Sequence, residues 1–130
     1  MEPRDISCFD DIKALVDSFY GKVREDTLLG PVFGGVIRDR WPDHLGKMYR
    51  FWQTVLLGER TYGGSPFLPH LKLPVSSEHF DRWKQLFHRT VDEHFRGPKA
   101  DEAKWRADRM AEMFEFKIDH YRRGHKEPLI

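Results

Sequence analysis

Apolar residues recur three and four positions apart along most of the chain, a spacing that confines it to a stack of amphipathic helices. From Asp10 to about Arg24 the stripe is Ile12, Leu15, Val16, Phe19, Tyr20 and Val23, and the helix is expected to end near Leu29-Gly30-Pro31. A second stripe starts near Arg40 with Trp41, His44, Met48, Phe51, Trp52, Val55 and Leu56, and stops at Gly58. Pro42 suits its first turn, where the missing N–H is not needed. The stretch from Gly58 to Pro74 holds three prolines and three glycines, which predict a shaped loop. Ser76 can cap a third helix that carries Phe80, Trp83, Leu86, Phe87, Val91 and Phe95 inward until Gly97-Pro98 stops it. The last pattern runs from about Lys99 to Arg123, with Trp105, Met110, Met113, Phe114, Ile118 and Tyr121 at helical spacing. No segment alternates like a strand. The expectation is a single all-α domain over residues 1–130 with four principal helices, its tail flexible from about 122.

Charge excludes several partners. Lysine and arginine interleave with acids to a formal net charge of +1, so no basic stripe tracks a phosphate backbone and no nucleic-acid partner is expected. Apolar runs are only a few residues long and MEPRDIS holds no apolar signal core, which predicts no membrane partner and a cytoplasmic address. The single cysteine, Cys8, can form neither an internal disulfide nor a metal-binding pair. A monomer is expected, because no large apolar face is evident.

The informative residues are polar groups set within inward stripes: Tyr20, His44 and Trp83. A buried polar group without a partner costs roughly 1–3 kcal/mol. Any one of the three could settle in the core or reach solvent, but together they suggest a polar ligand held between helices. Seven histidines raise the question of a metal, yet none forms the four-residue pair of a helical zinc site. Covalent haem attachment needs two cysteines before a histidine, so a haem here would be held by packing and axial ligation alone. His70 in Phe67-Leu68-Pro69-His70-Leu71-Lys72-Leu73-Pro74 is flanked by apolar residues, and its prolines would hold an imidazole in place with little ordering cost. His79, at the start of the third helix, is the alternative ligand.

The fragments FYGKVRED, LLGPVF, WPDHLGKM, FWQTVLLGE, YGGSP, HLKLP and HFDRWKQLF, in this order, resemble the truncated haemoglobins of group III. The likeness runs from about Ile6 to Phe95. It implies a shortened globin fold, helices stacked two over two around a haem, with the first stripe as the B helix, Arg40 to Leu57 as E, and the last two as G and H. On this resemblance His70 is the proximal iron ligand and His79 is not. Tyr20, His44 and Trp83 fall on the distal side, with Met48 against the haem face. Phe33 matches the aromatic that packs on the porphyrin, and Trp52 the tryptophan usual in the second helix. Lys47, Tyr62 and Leu73 are further haem-contact positions, the first two at the propionate edge. Groups I and II carry a glycine pair before the B helix, which is missing here, although Gly63-Gly64 follows the second helix.

The implied function is binding of dioxygen or another diatomic gas to the iron of a non-covalent haem b. Tyr20 and Trp83 would stabilise the partial negative charge on such a ligand and slow its release. Tight binding argues against oxygen delivery. The alternative is a redox enzyme on the same haem, a nitric oxide dioxygenase or a peroxidase-like activity, which would need electrons from a reductase.

Overall fold

The computed structural model describes residues 3–63 and 74–123. Five helices follow in order: α1 (Phe9–Glu25), α2 (Leu29–Ile37), α3 (Trp41–Leu57), α4 (Ser77–His94) and α5 (Pro98–Arg122). Among the described residues there is no strand, only a backbone bridge between Arg4 and Phe95. Helix α1 packs on α2, α3 and α4, and α4 packs on α5, so the molecule is built from the pairs α1/α3 and α4/α5 joined where α1 crosses α4.

The α1, α3 and α4 stripes lie where periodicity puts them. Ile12, Leu15, Val16, Phe19 and Val23 of α1 are almost wholly buried. Helix α3 carries Pro42 in its first turn and ends on Gly58, whose φ of +72° is the left-handed conformation glycine adopts without steric cost. Ser76 caps α4.

Two expectations change. The first helix stops at Glu25, and Leu29-Gly30-Pro31 opens a further helix, α2. Pro31 is the third residue of α2, within the first turn, where backbone N–H groups have no helical acceptor to lose. The apolar face of α5 is also rotated from the one its large residues suggest. Ala100, Ala103, Ala107 and Ala111, with Phe114 and Ile118, are buried, whereas Trp105 is 59% and Met113 48% exposed. Alanines at this spacing let α5 lie close against its neighbours, so the bulky residues turn outward.

The segment before α1 is fastened at two points by carboxylates. Asp5 accepts the N–H groups of Lys99 (3.0 Å) and Ala100 (2.9 Å) at the start of α5. Gly97 must be glycine here: its φ is +143°, and a Cβ would come within 2.6 Å of the Asp5 side chain. Asp11 accepts N–H bonds from Ser7 (2.8 Å) and Cys8 (3.2 Å) and binds the Arg4 guanidinium through both oxygens. Burial pushes the Asp11 carboxyl up, but Arg4 and the amides outweigh it and bring its pKa down to about 2.

A carboxylate whose pKa is lower in the folded chain adds stability above its unfolded value, and that stability is lost as pH falls through the folded value. Asp11→Asn should therefore lower stability at pH 7 by about 1–3 kcal/mol. The gap in melting temperature between variant and wild type should narrow as pH falls from 3.8 towards about 2. Melts at neutral and acid pH check this; a gap that does not change with pH would refute it.

Candidate functional site

All five helices border one cavity, with about 770 Å³ of empty space when the open solvent at its mouth is counted. Its walls are almost entirely apolar. Helices α1 and α2 supply Tyr20, Leu29 and Phe33; α3 supplies Met48, Phe51 and Trp52. Helix α4 adds His79, Phe80 and Trp83, and α5 adds Met110, Ala111, Phe114 and Ile118, with Val75 just ahead of α4. Among the described residues no carboxylate, lysine or arginine lines it.

Tyr20 reaches this wall because it lies on the inward stripe of α1, one turn after Val16. It is 6% exposed, and burial raises its pKa above the ordinary tyrosine value. Among the described residues no hydrogen bond engages its hydroxyl. The phenol is held by ring edges instead, with Phe19 at 4.9 Å, His44 at 4.9 Å, Trp41 at 6.0 Å and Phe33 at 6.2 Å between centroids. Trp83 stacks on Phe87 one turn along α4 (5.6 Å, 11° between planes) and meets Phe19 edge-on at 5.4 Å. Its indole N–H likewise makes no hydrogen bond among the described residues. Thus the cavity wall offers two rigidly mounted neutral donors, an O–H and an N–H.

His44 stands differently from the other two distal candidates. Its ring packs behind Tyr20, edge-on to it and to Trp41 (5.7 Å), and is not part of the cavity wall. The Arg24 guanidinium lies 4.5 Å over the outer face of Trp41 and closes this aromatic group against solvent. Trp52 is 4% exposed and stacks on Phe87 at 5.1 Å, so it supports the wall from behind as well as forming part of it. Lys47 is exposed and off the cavity. Tyr62 rests edge-on against Phe51 at 5.4 Å, also off the wall. His70 and Leu73 lie outside the described residues.

His79 does line the cavity, but its Nδ1 accepts the backbone N–H of Ser76 at 3.1 Å. A main-chain amide can only donate, so Nδ1 is bare and in the neutral ring the proton sits on Nε2. A metal on Nε2 would move the ring proton to Nδ1 and cost the bond from the Ser76 amide, leaving Nδ1 to donate to the Ser76 hydroxyl 3.0 Å away. Among the described residues no group of three histidine, cysteine or acidic side chains could hold a metal ion.

Phe80, Met110, Phe114 and Leu29 also wall the cavity. All but Leu29 belong to inward stripes that periodicity marks, but a stripe does not say which of its members borders a void. A porphyrin is flat, apolar over both faces and polar at one edge and at its centre. Aromatic walls, two flexible methionines and a pair of neutral donors fit it.

A family model described as bacterial-like globin matches residues 5–118. The chain is 39% identical over 87 residues to the group 3 truncated hemoglobin ctb of Campylobacter jejuni, covering 64% of this chain and 68% of that protein. It is 32% identical over 104 residues to the group 1 truncated hemoglobin GlbN of Nostoc commune, covering 78% and 83%. The crystal structure of the group III truncated hemoglobin from Campylobacter jejuni superposes with a TM-score of 0.82 at 31% identity, covering 90% of this chain and 95% of that one. The chain therefore belongs to the bacterial-like globins and, within them, to the group III truncated haemoglobins. Its fold is the truncated globin fold. Membership implies a haem cofactor and a small gaseous ligand. No helix among the described residues is long and apolar enough to cross a membrane.

Because burial raises the Tyr20 pKa, its hydroxyl stays protonated, and so remains a donor, beyond the ordinary tyrosine value of 10.0. In an ultraviolet titration the tyrosinate signal lost on Tyr20→Phe should belong to the alkaline end of the curve. If that substitution removes signal near pH 10.0 instead, the phenol is not buried as described.

Proposed function

We propose that this protein holds haem b non-covalently through His70 and binds dioxygen or another diatomic gas tightly, with Tyr20 and Trp83 as distal donors. The observation that carries the reading is the pair of neutral donors, without a hydrogen-bond partner among the described residues, on the wall of an apolar cavity in a globin. Donors that face an apolar cavity gain hydrogen-bond energy when a ligand supplies an acceptor.

When bound, the haem supplies an iron with one open coordination position for a gas. The residues of the chain do the rest. Phe33, Met48 and Trp52 would pack on the macrocycle and exclude water, with Leu73 in the same role. Tyr20 donates its O–H and Trp83 its indole N–H toward the partial negative charge that a polarised ligand carries. His44, edge-on to Tyr20, restricts where the phenol can swing. Lys47 and Tyr62 would serve the propionate edge, where charge stays close to water. For His70, support comes from its proline-bracketed sequence and from the Ser76 bond that already occupies His79.

A second reading uses the same donors for redox chemistry, conversion of nitric oxide to nitrate or reduction of a peroxide, with electrons from a reductase. It is favoured by a site that keeps its ligand polarised in the absence of competing charge. Mixing the oxygenated protein with nitric oxide decides it, since stoichiometric nitrate supports the dioxygenase and its absence removes it.

Purified protein supplied with haem should show a Soret band. His70→Ala should abolish or scramble that spectrum while His79→Ala leaves it, and the reverse pattern would reassign the ligand. Tyr20→Phe should speed oxygen dissociation by about 5- to 30-fold, the equivalent of roughly 1–2 kcal/mol for one donor. A rate equal to wild type in stopped-flow measurements would show that the phenol does not serve the ligand.

A further inference from the structure

The helices that carry Tyr20, Phe33 and Trp83 meet at one buried carboxylate. Asp26 lies between α1 and α2, with its side chain 4% exposed. One oxygen, Oδ2, accepts the N–H groups of Leu28 (3.1 Å) and Leu29 (3.0 Å) at the start of α2. The other, Oδ1, accepts the Arg82 guanidinium of α4 twice, from Nε at 2.7 Å and from Nη2 at 2.6 Å. The Asp26 backbone N–H donates to Val23 (3.2 Å) and its carbonyl accepts Gly30 N–H (2.8 Å). A single residue thus ends α1, begins α2 and anchors α4. Gly30 allows the tight junction, since a Cβ there would stand 2.9 Å from the Arg24 carbonyl oxygen.

Arg82 and Trp83 are neighbours, about 100° apart around the helix axis. Fixing Arg82 on Asp26 therefore sets the rotation of α4 that turns the Trp83 indole toward the cavity. Tyr20 lies less than two turns before Asp26 on α1, so the same joint fixes the other donor. The other polar contacts of α4 with α1 are Lys22–Glu93 and His94–Ser18, both nearer the far end of α4. Glu93 is half-exposed, and surface pairs of that kind hold geometry weakly. Among the described residues Asp26–Arg82 is the one ion pair tying the first half of α4 to α1 and α2. Burial pushes the Asp26 carboxyl up, but Arg82 and the two amides more than offset it, so the group stays ionised and paired.

We propose that Asp26 and Arg82 are positioning residues of the distal pocket, fixing the spacing and facing of the Tyr20 hydroxyl and the Trp83 indole N–H. The inference rests on the reading above, in which those two groups serve a haem ligand. Asp11 with Arg4 is the natural control, a carboxylate equally buried and equally rich in amide partners that lies away from the cavity.

The test compares Arg82→Gln, Arg82→Lys, Trp83→Phe and Asp11→Asn with wild type in the haem-loaded protein, reading the infrared C–O stretch of the carbonmonoxy form, oxygen dissociation and melting temperature. Arg82→Gln should broaden or split the C–O band and speed oxygen release by about three- to tenfold, towards the Trp83→Phe values. Arg82→Lys, which keeps the charge but not the two-pronged contact, should fall between. Asp11→Asn should lower the melting temperature and leave band and rate at wild type. Wild-type band and rate in Arg82→Gln, alongside a lowered melting temperature, would reduce the pair to a structural tie and overturn the proposal. If Arg82→Gln does not fold, Arg82→Lys decides by the same criterion.

Protein that takes up no haem would defeat the haem reading and still leave this proposal open to trial. The Trp83 indole N–H resonance, assigned by its loss in Trp83→Phe, should then shift in Arg82→Lys and hold still in Asp11→Asn. A resonance unmoved by Arg82→Lys would sink the positioning role.

Discussion

The contact of Phe19 with Phe87, where α1 crosses α4, is the constraint on which the rest of the molecule depends. Both side chains are nearly inaccessible, and their rings meet edge-on at 5.2 Å. Phe19 also presents edges to Tyr20 and Trp83, and Phe87 stacks on Trp52 and Trp83. Three helices are thereby locked through aromatic geometry, which favours offset and perpendicular arrangements and penalises small rotations. The candidate donors hang from this knot. Tyr20 and Trp83 each touch Phe19, so neither can be displaced without disturbing the packed interior.

Polarity is distributed by a simple division. The half-buried carboxylate of Asp5 and the buried ones of Asp11 and Asp26 face backbone amides at helix starts, where ionisation is favoured, and the latter two also hold a guanidinium group. Among the described residues the cavity wall carries no carboxylate, lysine or arginine, and the hydrogens of Tyr20 and Trp83 are available to a ligand. The separation suits a prosthetic group that brings its own iron and its own acidic edge, because the protein then needs to add only shape and oriented dipoles.

Much of this was legible in the chain. Periodicity alone placed α1, α3 and α4, and it put Tyr20 and Trp83 on inward faces. It failed at α2 because Gly30-Pro31 reads as a stop unless one knows that Asp26 and the first turn can absorb it. It misoriented α5 because alanine carries little weight in a hydrophobic stripe, although its small size decides which face packs. The position of His44 behind Tyr20 could not be read from helical phase, since phase gives a face and not the depth of a neighbour. The partnership of Asp26 with Arg82 spans 56 positions and leaves no local mark. Burial of charge at a helix junction is decided by tertiary geometry.

The alanine seam of α5 sets how freely this helix can vary over evolutionary time. At Ala103 and Ala107, both fully enclosed, there is nothing to trim and no room to grow, so any larger side chain would lever the whole rod away from its neighbour. The opposite side, with Trp105 and Phe116 in solvent, carries no such restriction. Drift in this stretch should therefore be lopsided, frozen along one edge and permissive along the other, whatever gas the protein handles.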